Sequence, residues 1–199
     1  MESKKLVLIF SISSLLLSFF ADAALPPASA PAEAPKNAQA LSSAVRIPAD
    51  IKQLCDKTDY PALCVETITP YLNSSETDAL AVLSMHINAL ELLFESATKL
   101  AKAIPKPAFM PTLIAGALDV CIEMYDEALY SLEEAKHAIE SGDAGSMKSY
   151  LDGIGTDVET CDDAFSKAPG SSSPLKDIDG KINKIWSNML AIAEQVKFD

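Results

Sequence analysis

The chain is poor in the residues that most often carry catalysis and metal binding. Its 199 residues include four cysteines and two histidines, His86 and His137. It has no C-x2-C pair and no H-E-x-x-H, G-x-S-x-G or P-loop motif, so the usual signs of zinc proteins, metalloproteases, serine hydrolases and P-loop enzymes are missing. We expect both histidines at the surface or its boundary. The chain is therefore predicted not to be an enzyme, and to have no catalytic residues, metal or cofactor.

A calcium loop is missing as well, although the segment DGIGTD at 152–157 resembles one superficially. It lacks the alternating ligands and the terminal glutamate of such loops, and it falls inside an amphipathic stretch. We expect its two glycines to permit either a close approach between helices or a local kink.

Positive charge is scarce. The chain has 16 lysine and arginine residues, with Arg46 the sole arginine, against 28 aspartate and glutamate residues, which gives a net charge of −12. Such a surface should repel nucleic acid, anionic lipid and acidic polysaccharide, and it should attract a basic partner. Nucleic-acid binding is excluded on this ground.

The first 23 residues have the layout of a secretory signal peptide. Lys4 and Lys5 precede an apolar run over 6–20, and a small-x-small sequence follows at 21–23. A run of about 15 residues is short for a bilayer span, which needs about 20, and no later segment is expected to be long and apolar enough. We predict a secreted protein with no membrane span.

Residues 24–46 are rich in alanine, proline and serine and have few large apolar side chains. This composition is typical of a disordered spacer. The remaining residues, 47–199, are expected to form one helical domain. Asn73-Ser74-Ser75 is the one N-glycosylation sequon, so Asn73 is predicted to be a glycosylation site on a surface turn.

Apolar residues after Arg46 recur every three or four positions, which predicts helices and no strands. Two short helices are expected at 49–57 and 61–72, with Pro61 at the first helical position. Longer helices are expected at 76–104, 108–140 and 143–167, and a fourth is expected to start at a Ser173-Pro174 cap. Four long amphipathic helices with short connections predict an all-α, up-down-up-down four-helix bundle preceded by a helical hairpin.

The four cysteines are expected to form disulfides, because secretion exposes them to an oxidising compartment. Facing residues of an antiparallel hairpin lie symmetrically about its turn. Cys55 and Cys64 are symmetric about a position just before the Pro61 break, and Cys121 and Cys161 are symmetric about residue 141, at the Ser141-Gly142 break. We therefore predict the pairs Cys55–Cys64 and Cys121–Cys161.

Several motifs between residues 51 and 196 resemble those of the plant invertase and pectin methylesterase inhibitor family. They are I-x3-C-x2-T-x-YP-x2-C at 51–64, AL-x2-C-x3-Y-x-EAL-x2-L at 117–132, SGD followed by S-x3-Y at 141–150, ETCDDAF at 159–165, and S-N-x-L at 187–190. The resemblance implies a four-helix bundle with an N-terminal hairpin and disulfides between neighbouring cysteines. It also implies a secreted inhibitor that covers the active-site cleft of a cell-wall enzyme one to one.

The resemblance is closer to pectin methylesterase inhibitors than to invertase inhibitors. Invertase inhibitors carry Pro-Lys-Phe after a Gly-Asp pair, whereas Gly142-Asp143 is followed here by Ala144-Gly145-Ser146. Pectin methylesterase is therefore the expected partner. Inhibition of an acid invertase and a non-inhibitory role in the cell wall remain alternatives.

The resemblance also implies which residues contact the enzyme. Matched by motif, polar contact positions fall on Glu127, Asp143, Thr160 and Asp163. Two further positions are occupied by Tyr130 and Lys148, where the family pattern has a carboxylate and a neutral amide. Acidic side chains cluster on these two predicted helices, so the resemblance and the charge together predict an acidic face that enters the enzyme's cleft.

Overall fold

The computed structural model describes residues 47–72, 77–106, 112–167 and 172–198. The predicted signal peptide, the predicted spacer and Asn73 lie outside the described residues.

The described residues form six α-helices, one short 3-10 segment and no strands. The helices are α1 (Ala49–Cys55), α2 (Pro61–Ile68), α3 (Ala79–Ala103), α4 (Thr112–Glu140), α5 (Ala144–Ser166) and α6 (Lys176–Ala193), and the 3-10 segment is Thr69–Tyr71. The predicted all-α class is confirmed. α1 and α2 form the short hairpin, and the four longer helices form the bundle.

Contacts between the long helices show that neighbours run antiparallel. Lys136 of α4 pairs with Glu91 of α3, and Cys121 of α4 is bonded to Cys161 of α5. Near the start of α6 and the end of α5, Asp179 lies close to Cys161. At the opposite ends of these helices, the side chain of Lys148 in α5 contacts Glu194, the residue after α6. The bundle therefore has the predicted up-down-up-down topology.

Helix ends follow from local sequence. Pro61 begins α2, as predicted. The Asp78 side chain accepts a hydrogen bond from the Ala81 amide at 2.8 Å and begins α3, three residues later than expected. The α4–α5 turn uses Gly142 at a φ of 70°, a conformation that glycine adopts without strain.

The predicted start of α6 is wrong by two residues. The helix begins at Lys176, and Pro174 lies in the turn before it. The Ser173 hydroxyl accepts a hydrogen bond from the Leu175 amide at 3.1 Å. This serine therefore stabilises the turn that leads into α6 and does not cap the helix itself.

Both predicted disulfides are present, with Cα–Cα distances of 5.5 Å for Cys55–Cys64 and 4.5 Å for Cys121–Cys161. All four cysteines are buried. By loop-closure entropy the shorter bridge contributes about 2.5 kcal/mol and the longer one about 4 kcal/mol to stability. The first bridge closes the hairpin, and the second joins α4 to α5.

The core is built from the inward faces of all six helices. Its largest fully buried side chains include Tyr125, Phe94, Leu83, Leu118 and Leu151. The rings of Phe94 and Tyr125 pack 5.8 Å apart between centroids.

The expectation that His86 lies at the surface or its boundary is wrong. Its side chain is fully buried, and its Nδ1 lies 2.9 Å from the carbonyl oxygen of Val82. Burial lowers the pKa of this imidazole, which favours the neutral ring. The error arose because α3 packs against α2, α4 and α6, so its buried arc is wider than one seam. His137, in contrast, is exposed.

The expectation that no later segment is apolar and long enough to span a membrane is also wrong on composition alone. α3 has 25 residues and is, by length and composition alone, long and apolar enough to cross a membrane. Such a helix is weak evidence for a membrane span, since core helices of bundles share these properties. Eleven of its residues are buried within the protein, and its outer face carries Glu95, Lys99 and Lys102. Most of its large apolar side chains pack in the bundle, whereas Leu92 and Leu100 are exposed.

The close approach expected at the glycines of segment 152–157 is present at Gly155. A Cβ atom at this position would lie 2.5 Å from two carbon atoms of the Trp186 ring. The indole Nε1 of Trp186 donates a hydrogen bond to the Leu151 carbonyl at 2.8 Å. The glycine thus lets α6 pack its tryptophan directly on the backbone of α5.

Candidate functional site

The candidate site is the outer surface of α4 and α5, hereafter the α4–α5 face. Glu127 and Tyr130 are exposed on α4, and Thr160 and Asp163 are exposed on α5. In each helix the two residues are three positions apart, so they lie on the same side of the helix about one turn apart. The face is joined internally by the Cys121–Cys161 bridge.

Two further side chains from α5 complete the face beside α4. Asp157 is half-buried and faces Glu127, and Tyr150 is half-buried beside Glu134. The sequence reasoning counted Asp157 and Glu134 among the clustered acids of the two helices but did not name either as a contact position. The symmetry about residue 141 that paired the cysteines places Glu127 opposite residue 155, so it does not by itself identify Asp157.

The facing carboxylates have an electrostatic consequence. Burial, together with the nearby Glu127 carboxylate, raises the pKa of Asp157 to about 6. At a pH of about 5, Asp157 is mostly protonated, and the face carries one negative charge fewer than at neutral pH. Glu134, followed by burial, raises the pKa of the Tyr150 hydroxyl, so this group stays neutral and can donate a hydrogen bond.

Asp143 lies at the end of this face, in the α4–α5 turn. Its side chain accepts hydrogen bonds from the Ser146 amide at 3.0 Å and from the Ser146 hydroxyl at 2.7 Å. These bonds hold the pKa of Asp143 below its usual value. Asp143 therefore caps α5 as a charged carboxylate, and about 25 Å of helix separates it from Thr160.

Lys148 is not brought together with the other predicted contact residues. It is exposed, but its ammonium pairs with Glu194, just beyond the end of α6. This pairing is the main cause that raises the pKa of Lys148. Lys148 thus lies on the α6 flank of α5, whereas Asp157 and Tyr150 lie on the α4 flank.

Chemistry other than partner binding is not apparent in the described ranges. The described ranges contain no group of three or more histidine, cysteine, aspartate or glutamate side chains arranged to hold a metal ion. The Thr160 hydroxyl, which could act on a ligand, instead donates to the Thr156 carbonyl at 2.7 Å. The arrangement is suited to binding a partner surface.

Comparisons with known proteins agree with the residue-based resemblance. A sequence model of the plant invertase/pectin methylesterase inhibitor family matches residues 49–192. A pectinesterase inhibitor of Actinidia deliciosa is 27% identical over 143 residues, which cover 72% of this chain and 77% of that protein.

Longer relatives match over a smaller share of their length. A probable pectinesterase/pectinesterase inhibitor of Arabidopsis thaliana is 28% identical over 150 residues, and the match covers 71% of this chain but 25% of that protein. The chain therefore spans about a quarter of this longer relative.

Solved structures show the same fold. A mutant form of a pectin methylesterase inhibitor from Arabidopsis superposes with a TM-score of 0.63 at 18% sequence identity, covering 76% of this chain and all of that one. A second pectin methylesterase inhibitor structure from Arabidopsis thaliana gives a TM-score of 0.55 at 19% identity, covering 75% of this chain and 97% of that one. With a family match over residues 49–192, the chain belongs to the plant invertase/pectin methylesterase inhibitor family, and the matched domain is that of an inhibitor and not of an enzyme.

Proposed function

We propose that this protein is a secreted inhibitor of pectin methylesterase that covers the enzyme's active-site cleft in a one-to-one complex. The observation that carries the proposal is the exposed, acidic α4–α5 face in a chain of this inhibitor family. The relatives described above that are named for one target are all named for pectinesterase or pectin methylesterase. The inhibitor acts outside the cell, in the cell wall, after removal of residues 1–23.

Rigidity of the face supports this proposal. The Cys121–Cys161 bond is buried between the two helices, and the capped turn at Gly142 and Asp143 fixes how α5 leaves α4. A surface held in one conformation loses little entropy when it binds. The inhibitor can therefore present its side chains to a cleft without a prior rearrangement.

Charge supports the same target. Hydrolysis of methyl esters turns pectin into a polyanion, so the cleft of the enzyme should favour negative charge. The exposed acids of α4 and α5 include Asp119, Glu123, Asp126, Glu127, Glu133, Asp152, Glu159, Asp162 and Asp163. An acidic helical surface can occupy such a cleft in place of the polymer.

The proposal is tested by inhibition of a plant pectin methylesterase with a double variant, Glu127→Gln/Asp163→Asn. Both side chains are exposed, so the fold is retained while two charges are removed from the face. We expect inhibition to weaken by about tenfold or more, which corresponds to about 1.4 kcal/mol. Inhibition by the original protein should also weaken as salt is raised, since exposed charges are screened.

The matched control is Asp50→Asn/Glu66→Gln, which removes two exposed charges from α1 and α2. It should inhibit as well as the original protein. Equal weakening by both double variants would indicate an effect of net charge alone, and inhibition insensitive to salt would contradict the acidic-face mechanism.

A further inference from the structure

A groove lies between the start of α2 and the first half of α6, on helices other than those of the α4–α5 face. Its volume is about 590 Å³, and its walls include Tyr60, Pro61 and Leu63 on one side and Lys176, Lys181 and Lys184 on the other. It is the more apolar part of a surface that is otherwise strongly charged.

The charge of the groove is opposite in sign to the net charge of the protein. Three lysines line it against one carboxylate, that of Asp177. Five other lysines pair with carboxylates elsewhere, whereas Lys176, Lys181 and Lys184 have no carboxylate oxygen within 4.0 Å in the described ranges. The ammonium groups of Lys181 and Lys184 are therefore available to an anionic ligand, whereas the charge of Lys176 also acts on the Asp162 carboxylate.

An exposed aromatic ring stands beside these lysines. The Tyr60 side chain is 41% exposed, and the Lys184 Nζ lies 5.8 Å from the centroid of its ring. The buried Asn188 side chain holds the backbone of Tyr60, because it accepts from the Tyr60 amide and donates to the Tyr60 carbonyl, both at 2.9 Å. The Cys55–Cys64 bridge closes the same hairpin, so the ring is presented from a fixed backbone.

At Gly180 the floor of the groove has no side chain. This glycine lies between Lys176 and Lys184 on one side of α6, and a Cβ at this position would meet no atom within 4 Å. The absent side chain leaves space above the helix backbone for a flat ligand. An aromatic wall, an open floor and a few charged groups are features that ligand sites commonly combine.

We propose that this groove binds an oligosaccharide whose sugars carry carboxylates. One sugar ring would stack its apolar face on Tyr60, and neighbouring carboxylates would pair with Lys181 and Lys184. The lysines match the carboxylates in charge, and the exposed tyrosine matches the C–H face of a sugar ring. This identification rests on the proposed function: the de-esterified pectin that the target enzyme produces is a polymer of this kind.

Net charge argues the other way, since −12 predicts repulsion from acidic polysaccharide. At physiological ionic strength, however, exposed charges are screened beyond about 8 Å. A ligand seated in the groove is therefore governed mainly by the adjacent lysines. Binding should be local, weak and sensitive to salt.

The experiment is isothermal titration of the oxidised protein with a short oligogalacturonate, and with the same oligomer fully methyl-esterified. No esterase is present, so the result is independent of inhibition. We expect the acid to bind and the ester to bind at least roughly fivefold more weakly, because exposed ion pairs each contribute a modest amount. Equal affinity for acid and ester would overturn the proposal, as would no binding of the acid.

Variants locate the site. Lys181→Gln/Lys184→Gln should weaken binding of the acid by roughly fivefold or more, and the charge-matched control Lys99→Gln/Lys102→Gln on α3 should leave it unchanged. Tyr60→Ala should also weaken it, while the backbone bonds to Asn188 are kept. Equal losses in the two lysine variants, or full binding by Tyr60→Ala, would contradict the proposed site.

Discussion

Asp179 illustrates how a single buried group makes the stability of this protein depend on pH. It lies in the first turn of α6 with 1% of its surface exposed, and it accepts a hydrogen bond from the Tyr125 hydroxyl at 2.5 Å. Burial raises the pKa of Asp179 to about 6, although the bond from Tyr125 partly opposes this. Its unfolded-state pKa is about 3.9.

Because the folded state binds this proton more tightly, Asp179 makes the protein more stable in acid. Its contribution is fully present below about pH 4 and is lost as the pH rises through about 6. A shift of about two pKa units corresponds to about 3 kcal/mol. Asp179→Asn should therefore reduce the fall in unfolding free energy between about pH 4 and about pH 7, as measured by urea denaturation at each pH.

The difference in pH profile between the original protein and the Asp179→Asn variant isolates the contribution of Asp179 from those of other titrating groups. His86 acts in the opposite direction, because its lowered pKa makes protonation below about 6.5 unfavourable to the fold. His86 is present in both proteins, so its contribution cancels in the comparison. An identical pH profile for the variant would show that Asp179 does not titrate in this range.

Gly155 is a residue at which α5 and α6 pack closely. Substitution by alanine would place Cβ 2.5 Å from the Trp186 ring, so either the ring or the two helices would have to shift. We expect Gly155→Ala to lower the free energy of unfolding by about 1–3 kcal/mol. The control is Gly153→Ala in the same helix, where a Cβ meets no atom within 4 Å.

Gly153→Ala should raise stability by about 0.5–1 kcal/mol, since alanine favours a helix more than glycine does. Thermal unfolding of the two variants gives the comparison. Equal stability of both would mean that the contact between Trp186 and the α5 backbone is easily relaxed.

At the scale of the secondary-structure elements, Asp143 has two possible roles that can be separated. It caps α5 through Ser146, and it is also a predicted enzyme contact. Asp143→Asn keeps a capping side chain and removes the charge, whereas Asp143→Ala removes both. We expect Asp143→Ala to lower the melting temperature, because the cap is lost, and Asp143→Asn to leave it nearly unchanged.

Inhibition of pectin methylesterase distinguishes the roles. If Asp143 contacts the enzyme through its charge, Asp143→Asn weakens inhibition at unchanged melting temperature. If it serves as a cap alone, Asp143→Asn inhibits normally. The second result would remove Asp143 from the proposed interface and leave the rest of the α4–α5 face in place.

α3 shows where pattern reasoning reached its limit within one element. A single seam of apolar residues was sufficient to predict the helix, but the helix is enclosed by α2, α4 and α6. Residues beside the seam, among them His86 and Met85, are therefore buried. A seam read from one helix cannot show how many neighbours that helix will have.

At the scale of the whole molecule, symmetry about the predicted turns was the main source of correct long-range predictions. It placed Cys55 with Cys64 and Cys121 with Cys161. The alternating helix directions were predicted from the short connections between the long helices. These features depend on short connections between neighbouring helices, which the sequence displays as breaks.

Contacts between distant segments could not be obtained in this way. The groove at Tyr60 depends on Asn188, which is 128 residues away. No local pattern relates the two positions, and the net charge of −12 pointed away from an anion site. Such a site emerges only when the hairpin is packed against α6.

The central claim is the identity of the target, and paired inhibition titrations test it most directly. The oxidised domain, from about residue 46 onward, would be titrated at mildly acidic pH into a plant pectin methylesterase and, separately, into a plant acid invertase. The account predicts loss of esterase activity that is complete at a one-to-one ratio, with invertase activity unchanged. Loss of invertase activity alone would contradict it and would move the search for contacts to another part of the bundle.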